Sequence, residues 1–253
     1  MREEGMGIDV VSSGEIYTAL KAGFDLSQAY FHSNNKTDED IRFAIENGIG
    51  YFVVDNAEEL YAIDKYAKQK GITQKILLRI TPGIDPHTYD AISTGKVDSK
   101  FGSAIETGQA DQMVELALTF ENISLRGFHC HVGSQVFDSE VYMRTCKVML
   151  TFVAHIYEEF GFMASELDIG GGIGVRYIEE QSSPDVSAIL AEVGAYMNSL
   201  AEELGIELPC VCFEPGRSIV ADAGLTLYTV GTVKRITGYK TYVSVDGGMA
   251  DNP

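Results

Sequence analysis

Three segments of this chain run from an apolar, β-like stretch into residues suited to holding a charged group. Asp168-Ile169-Gly170-Gly171-Gly172 ends in glycines whose backbone amides can approach a phosphate without Cβ interference, although such a run can also be a merely tight turn. Glu214-Pro215-Gly216-Arg217 repeats the design, and together the two turns suggest one phosphate held between neighbouring loops. The Glu214 carboxylate, rigidly placed at a strand end, needs a partner: a protonated ring nitrogen, or Arg217 in a structural ion pair. His129 and His131 alternate on one run and so share a face. His-x-His can bind metal, but His32, His87 and His155 lack ligand spacing, so no metal is expected. His131 stacked on a flat cofactor, with Ser134 bonding its phosphate, accounts for the motif better, and His129, deeper in the strand, reads as a satisfied core histidine. Arg79, inside Leu77-Leu78-Arg79-Ile80, is costly to bury without an anion and should face the interior and a negative partner.

The elements that must position these groups alternate regularly. Strands are predicted at 8–12, 29–32, 51–54, 75–81, 124–131, 166–169 and 210–214, and helices near 13–22, 37–47, 56–69, 106–119, 139–160 and 185–204. Caps are expected from Ser13, from Thr37 with Asp40, and from Asp138 or Ser139. The alternation implies parallel βαβ units, and seven in series favour an α/β (β/α)8 TIM-type barrel, with functional groups at the C-terminal strand ends. Seven strands are one short of closure, so the first is expected to precede Met1. The Rossmann alternative fits poorly, because the next helix starts too far beyond Gly174. After Arg217 the texture becomes alternating, with strands near 225–234 and 240–246 joined through Thr237-Gly238. Residues 1–222 are therefore expected to form the barrel and 223–253 the start of a C-terminal β domain, with the chain as given ending mid-domain. The polar stretch 94–102 is an irregular loop able to help close the site, and 246–251 reads as an ordinary turn or a site segment.

The chain has 253 residues, 45% of them hydrophobic, and a net charge of −18, which gives a sizeable core and an acidic surface. That charge argues against binding nucleic acid or anionic membrane, and it gives weight to Arg79, Arg176 and Arg217 as local attractors of an anion. No window reaches the roughly 18 apolar residues of a membrane span, and no signal-peptide core is visible. The four cysteines, 130, 146, 210 and 212, lack metal-site spacing and are expected to be reduced, buried thiols of a cytoplasmic protein.

His131-Val132-Gly133-Ser134-Gln135, Asp168 to Gly172, Glu214 to Arg217 and Val245-Asp246-Gly247-Gly248-Met249, in this order, resemble the pyridoxal-phosphate-dependent group IV decarboxylases of the alanine racemase-like fold. Gly95, Ser99-Lys100-Phe101-Gly102 and Val10 to Glu15 agree, so the resemblance covers essentially the whole chain. It implies pyridoxal 5′-phosphate as cofactor, with His131 on the ring, Ser134 and Gly170, Gly171 and Gly172 at the phosphate, and Glu214 at the ring nitrogen. It further implies that Gly216 and Arg217 complete the phosphate and substrate-carboxylate side, with Arg79 also near the cofactor. The implied partners are a small amino-acid substrate and a second copy in a homodimer with shared sites. Gly-Ser-Gln after His131 and the Gly-Gly-Met run favour meso-diaminopimelate, decarboxylated to lysine, over arginine, ornithine or carboxynorspermidine. A non-catalytic cofactor-binding protein is the alternative from another class. The lysine that such enzymes link to the cofactor lies on the first barrel strand, outside this sequence, and Lys21, on a helix, is no substitute. The polypeptide as given is therefore expected to be inactive alone.

Overall fold

A computed structural model describes residues 2–85, 95 and 99–250. His87, residues 94 and 96–98 of the polar loop, and Asp251 to Pro253 lie outside them. Strands β1 (Ile8–Val10), β2 (Ala29–Phe31), β3 (Tyr51–Val54), β4 (Gln74–Thr81), β5 (Ser103–Ala104), β6 (Ile123–His129), β7 (Glu166–Gly171) and β8 (Cys210–Glu214) alternate with helices α1 (Ser13–Lys21), α2 (Asp38–Glu46), α3 (Ala57–Lys70), α4 (Gln109–Leu118), α5 (Ser139–Phe160) and α6 (Val186–Leu204). The strands pair in the order β1-β2-β3-β4-β6-β7-β8, all parallel, with β5 attached to the end of β4. This is the barrel architecture that the alternation predicts, nearly closed. Among the described residues β1 and β8 end the order, and a cavity of about 520 Å³ lies between them, lined by Ile8, Asp9, Tyr30, Cys212 and Glu214 among others.

Local chemistry explains the elements. Thr37 and Asp40 form a reciprocal capping box, and Asp138 caps α5 through the Glu140 amide. The cap of α1 is Ser12, one residue earlier than expected, because its extended backbone lets the hydroxyl accept from Glu15. Helix α5 buries Val141, Cys146, Met149, Val153 and Ile156 at helical spacing against the sheet, where Phe128 is fully buried. Inside the barrel Tyr30 and Tyr51 stack at 4.5 Å and both donate to Glu166, tying β2 and β3 to β7.

Beyond β8 a short helix, α7 (Gly216–Val220), leads to an antiparallel hairpin, β9 (Val230–Ile236) with β10 (Lys240–Val245), closed by Asp246 and Thr229. Both hairpin strands are exposed throughout, so this is the start of a β unit without a core of its own. Helix α7 and strand β5 are too short for any sequence period to announce. The cysteines are all free, but only Cys130 and Cys146 are buried. Cys210 is exposed, at the start of the last strand in the order. Among the described residues no helix is long and apolar enough to cross a membrane.

Candidate active site

The C-terminal ends of β2, β4, β6, β7 and β8 converge on Glu214. Strand β6 stops at His129, so His131 lies two residues past the strand, in the turn toward α5. Strand β7 ends in the glycine run, where Gly170 and Gly172 take φ of +73° and +92°. A Cβ at Gly170 would meet the Cys130 carbonyl and the His131 ring, and one at Gly172 would strike the Gly133 carbonyl. The glycines therefore let the β6 and β7 turns touch. Their amides are partly committed: Gly170 N–H donates to Asp168 Oδ1 at 2.7 Å and Gly171 N–H to His131 Nδ1 at 3.3 Å. The second contact makes Nδ1 an acceptor, and burial lowers the His131 pKa, so the imidazole is neutral. Past the glycines, Val136 and Ile173 form an isolated parallel bridge, with Val136 N–H on Gly172 O and Gly174 N–H on Val136 O. Gln135 reaches across to both backbone groups of Val175.

Glu214 does not pair with Arg217. Pro215 turns the chain into α7, and Arg217 points instead to the β6 turn, donating to Ser134 Oγ at 3.1 Å and to Tyr177 Oη at 2.6 Å, in an exposed position. The contacts of Glu214 are imidazoles: Oε1 lies 3.1 Å from His32 Nε2 and 3.2 Å from His129 Nε2. Neither has hydrogen-bond alignment, which leaves His32 Nε2, both His129 ring nitrogens and Glu214 Oε1 among the buried polar atoms without a hydrogen-bond partner. His129 is thus not a satisfied core histidine. The fold also recruits His32, which its sequence spacing did not single out, and the three ligand atoms lie within 4.8 Å of one another.

Charge is divided unequally in this cluster. Burial opposes protonation of His32, but Glu214 and Asp9, the latter at 3.5 Å, outweigh it and raise the pKa to about 9. Burial dominates at His129 and lowers its pKa to about 3, despite the attraction of Glu214. For Glu214 burial favours the neutral acid, yet the two histidines overcome it and hold the carboxyl well below its ordinary range. Two imidazoles 4.9 Å apart in a low-dielectric site cannot both be cationic, so the state is His32⁺, Glu214⁻ and neutral His129. The Asp168 carboxyl, buried beside them, is raised by burial and by Glu214.

Arg79 finds the anion its position demands in Asp55, at 4.0 Å, while its guanidinium lies 4.3 Å from the Phe101 ring centre. Asp55 Oδ1 also accepts from Gly102 N–H, so the described end of the polar loop is fastened at the site. Beneath it, Lys36, with its side chain fully buried, donates to Ser33 O, Val53 O and Glu59 Oε2 and fixes the turn that carries His32. Arg176, by contrast, is exposed on the turn after β7. Lys21 ends α1 with its ammonium over the Tyr17 ring. Sequence reasoning missed His32, Asp55 and Tyr177, whose only sequence signal was a polar residue just past a strand.

This geometry fits a phosphorylated, cationic ring: glycines, a hydroxyl and an arginine at one end, and a buried carboxylate paired with no arginine at the other. Comparison with known proteins agrees. The chain is 44% identical over 250 residues to the diaminopimelate decarboxylase of Staphylococcus aureus (strain COL), covering 99% of this chain and 58% of that protein. It is 42% identical over 250 residues to that of Bacillus subtilis (strain 168), covering 99% and 57%. The crystal structure of diaminopimelate decarboxylase from M. jannaschii in co-complex with L-lysine superposes with a TM-score of 0.84 at 35% identity, covering 98% of this chain and 56% of that one. The lysine/ornithine decarboxylase of Vibrio vulnificus complexed with putrescine gives 0.73 at 26% identity, covering 98% and 60%. The chain thus spans somewhat over half the length of these relatives. The profile of the family described as pyridoxal-dependent decarboxylase, pyridoxal binding domain, matches residues 1–221, and the chain belongs to that family.

Proposed function

We propose that the protein binds pyridoxal 5′-phosphate at this site and decarboxylates meso-2,6-diaminopimelate to L-lysine. The observation that carries the reading is Glu214, a buried carboxylate kept ionised at a strand end, beside the strand that ends in the glycine run and ion-paired with imidazoles but with no arginine. Bound there, the pyridoxal group supplies a ring that accepts the electron pair left as carbon dioxide departs. The chain's own residues set the conditions. Glu214 holds a proton on the ring nitrogen, and neutral His131 presents its face to the ring without adding charge. Ser134, Gly170, Gly171, Gly172, Gly216 and Arg217 take the phosphate, and Arg217 is exposed enough to meet a substrate carboxylate as well. Arg79 is held beside the site by Asp55, which balances its charge.

The names of the relatives, and L-lysine in three of the matched structures, support diaminopimelate over arginine, ornithine or carboxynorspermidine. We further propose a cytoplasmic homodimer, with the cofactor barrel at 1–222 and a β domain beginning at 223. The exposed Leu225, Leu227, Tyr239 and Met249 offer apolar surface for such assembly.

The test is cofactor-dependent release of carbon dioxide by the intact protein from meso-diaminopimelate, against the three alternative substrates. Glu214→Gln should lower kcat by about 10²-fold or more, the scale of a lost proton-holding group. An unchanged rate in a folded variant would refute the role.

A further inference from the structure

We propose that His32 and His129 are positioning residues that clamp Glu214 Oε1 between them, so that Oε2 is the oxygen offered to the cofactor's ring nitrogen. The inference rests on the function proposed above and assigns two residues that its motifs leave without a role.

Both imidazole contacts fall on the same oxygen, at 3.1 and 3.2 Å, and the rings meet edge to face at 71°. Both also come from firmly held backbone. His129 ends a strand paired on each side, with Arg79 and with Asp168. His32 N–H donates to Val10 O at 2.8 Å, and its turn is fastened by the buried Lys36 ammonium. Ser33 there adopts φ +129°, a conformation disfavoured for a non-glycine residue, which these bonds must hold in place. Glu214 has no such support, because its strand borders the cavity on one side. A carboxylate on the least supported strand is thus gripped by side chains from two well-supported ones.

The two grips differ. His32 also faces Asp9 on β1, so it carries the proton and contributes a full charge. His129 faces Glu214 alone and stays neutral, contributing a ring nitrogen. The remaining ionisable neighbours are Arg79 on β4, Asp168 on β7, and Cys130 and His131 beyond β6. Arg79 is matched by Asp55, while burial pushes the Cys130 thiol and the Asp168 carboxyl up, away from their charged forms, so none of them replaces the clamp.

The experiment uses the intact protein with pyridoxal 5′-phosphate labelled with ¹⁵N in the ring. The ring-nitrogen shift reports protonation, and fluorescence titration gives the cofactor Kd. His32→Leu and His129→Leu should each weaken cofactor binding about 10-fold or more and lower the protonated fraction, by analogy with partners that orient metal ligands. His32→Gln and His129→Gln, which keep a polar N–H, should recover most of the loss. Leucine variants with wild-type Kd and ring protonation would overturn the clamp. Should they fail to fold, histidine ¹⁵N titration of the unsubstituted protein without cofactor decides: His32 titrating above neutral and falling on Glu214→Gln supports it, and no response to Glu214→Gln overturns it. Glu214→Gln also separates the two levels. If it abolishes ring protonation while the histidine variants do not, the clamp fails and the cofactor reading stands; if it too leaves the ring unchanged, the cofactor reading fails.

Discussion

At one end of the site Glu214, His32 and His129 are sealed from water, with side chains 17%, 10% and 1% exposed; at the other Arg217, Ser134 and Tyr177 meet where solvent reaches them. Glu214 ends β8, and Arg217 lies only three residues further on, in α7. In the sealed end the low dielectric makes each contact strong and each unpaired atom costly. In the open end an arginine paired with two hydroxyls gains little net energy and stays free to exchange partners. The contrast is one of physics: the sealed end holds fixed charges in a low dielectric, and the open end leaves its polar groups exchangeable with solvent.

The strongest way to break that contrast is to attack the foundation of the sealed end. Lys36→Met strands Glu59 as an unpaired buried carboxylate and should cost about 3–5 kcal/mol in denaturant unfolding. A loss under about 1 kcal/mol would mean that the pair does not hold the His32 turn. Gly172→Ala forces a Cβ toward the Gly133 carbonyl at a positive φ, and strain and overpacking together predict a loss of about 2–4 kcal/mol by the same measurement.

The histidines make a pH-dependent contribution that, at about 1.4 kcal/mol per unit of pKa, reaches a few kcal/mol each at its limits. His32 is raised from 6.5 to about 9, so the stability it lends is complete below pH 6.5 and fades as the pH climbs through 9. His129 is lowered from 6.5 to about 3, so its unfolded form binds a proton first, and stability is lost as the pH falls from 6.5 toward 3. Their sum peaks near pH 6.5. Thermal unfolding across pH should show that maximum, with His32→Gln flattening the alkaline limb and His129→Gln the acid one. The smallest effect belongs to the open end, where Tyr177→Phe removes an exposed bond and should change stability by at most about 0.5 kcal/mol. A larger shift would show that the open end is structural after all.

What could be read from the sequence followed how local its physics is. Seven strands and six helices announce themselves by alternation and caps, and Thr37 with Asp40 forms the expected box. The glycine run and Arg79 were legible because a missing Cβ and a charge in an apolar strand each demand a spatial explanation. Their partners were not. Asp55 and His32 reach the site through strand order, which no window along the chain contains. The Glu214 and Arg217 pairing suggested by proximity fails because Pro215 starts a helix between them that reverses the direction of the arginine. His129 reads as core on burial alone, and only the arrival of β8 turns it toward a carboxylate.

The Val136–Ile173 bridge carries one more consequence. Loops at a barrel mouth ordinarily vary in length independently, yet here the turns after β6 and β7 are laced by paired backbone and by Gln135. A residue inserted into or deleted from one of them would slip its register against the other and carry Ser134 and Gly172 out of step. The lengths of these two turns are therefore coupled, and a change in one needs a matching change in the other to keep the frame.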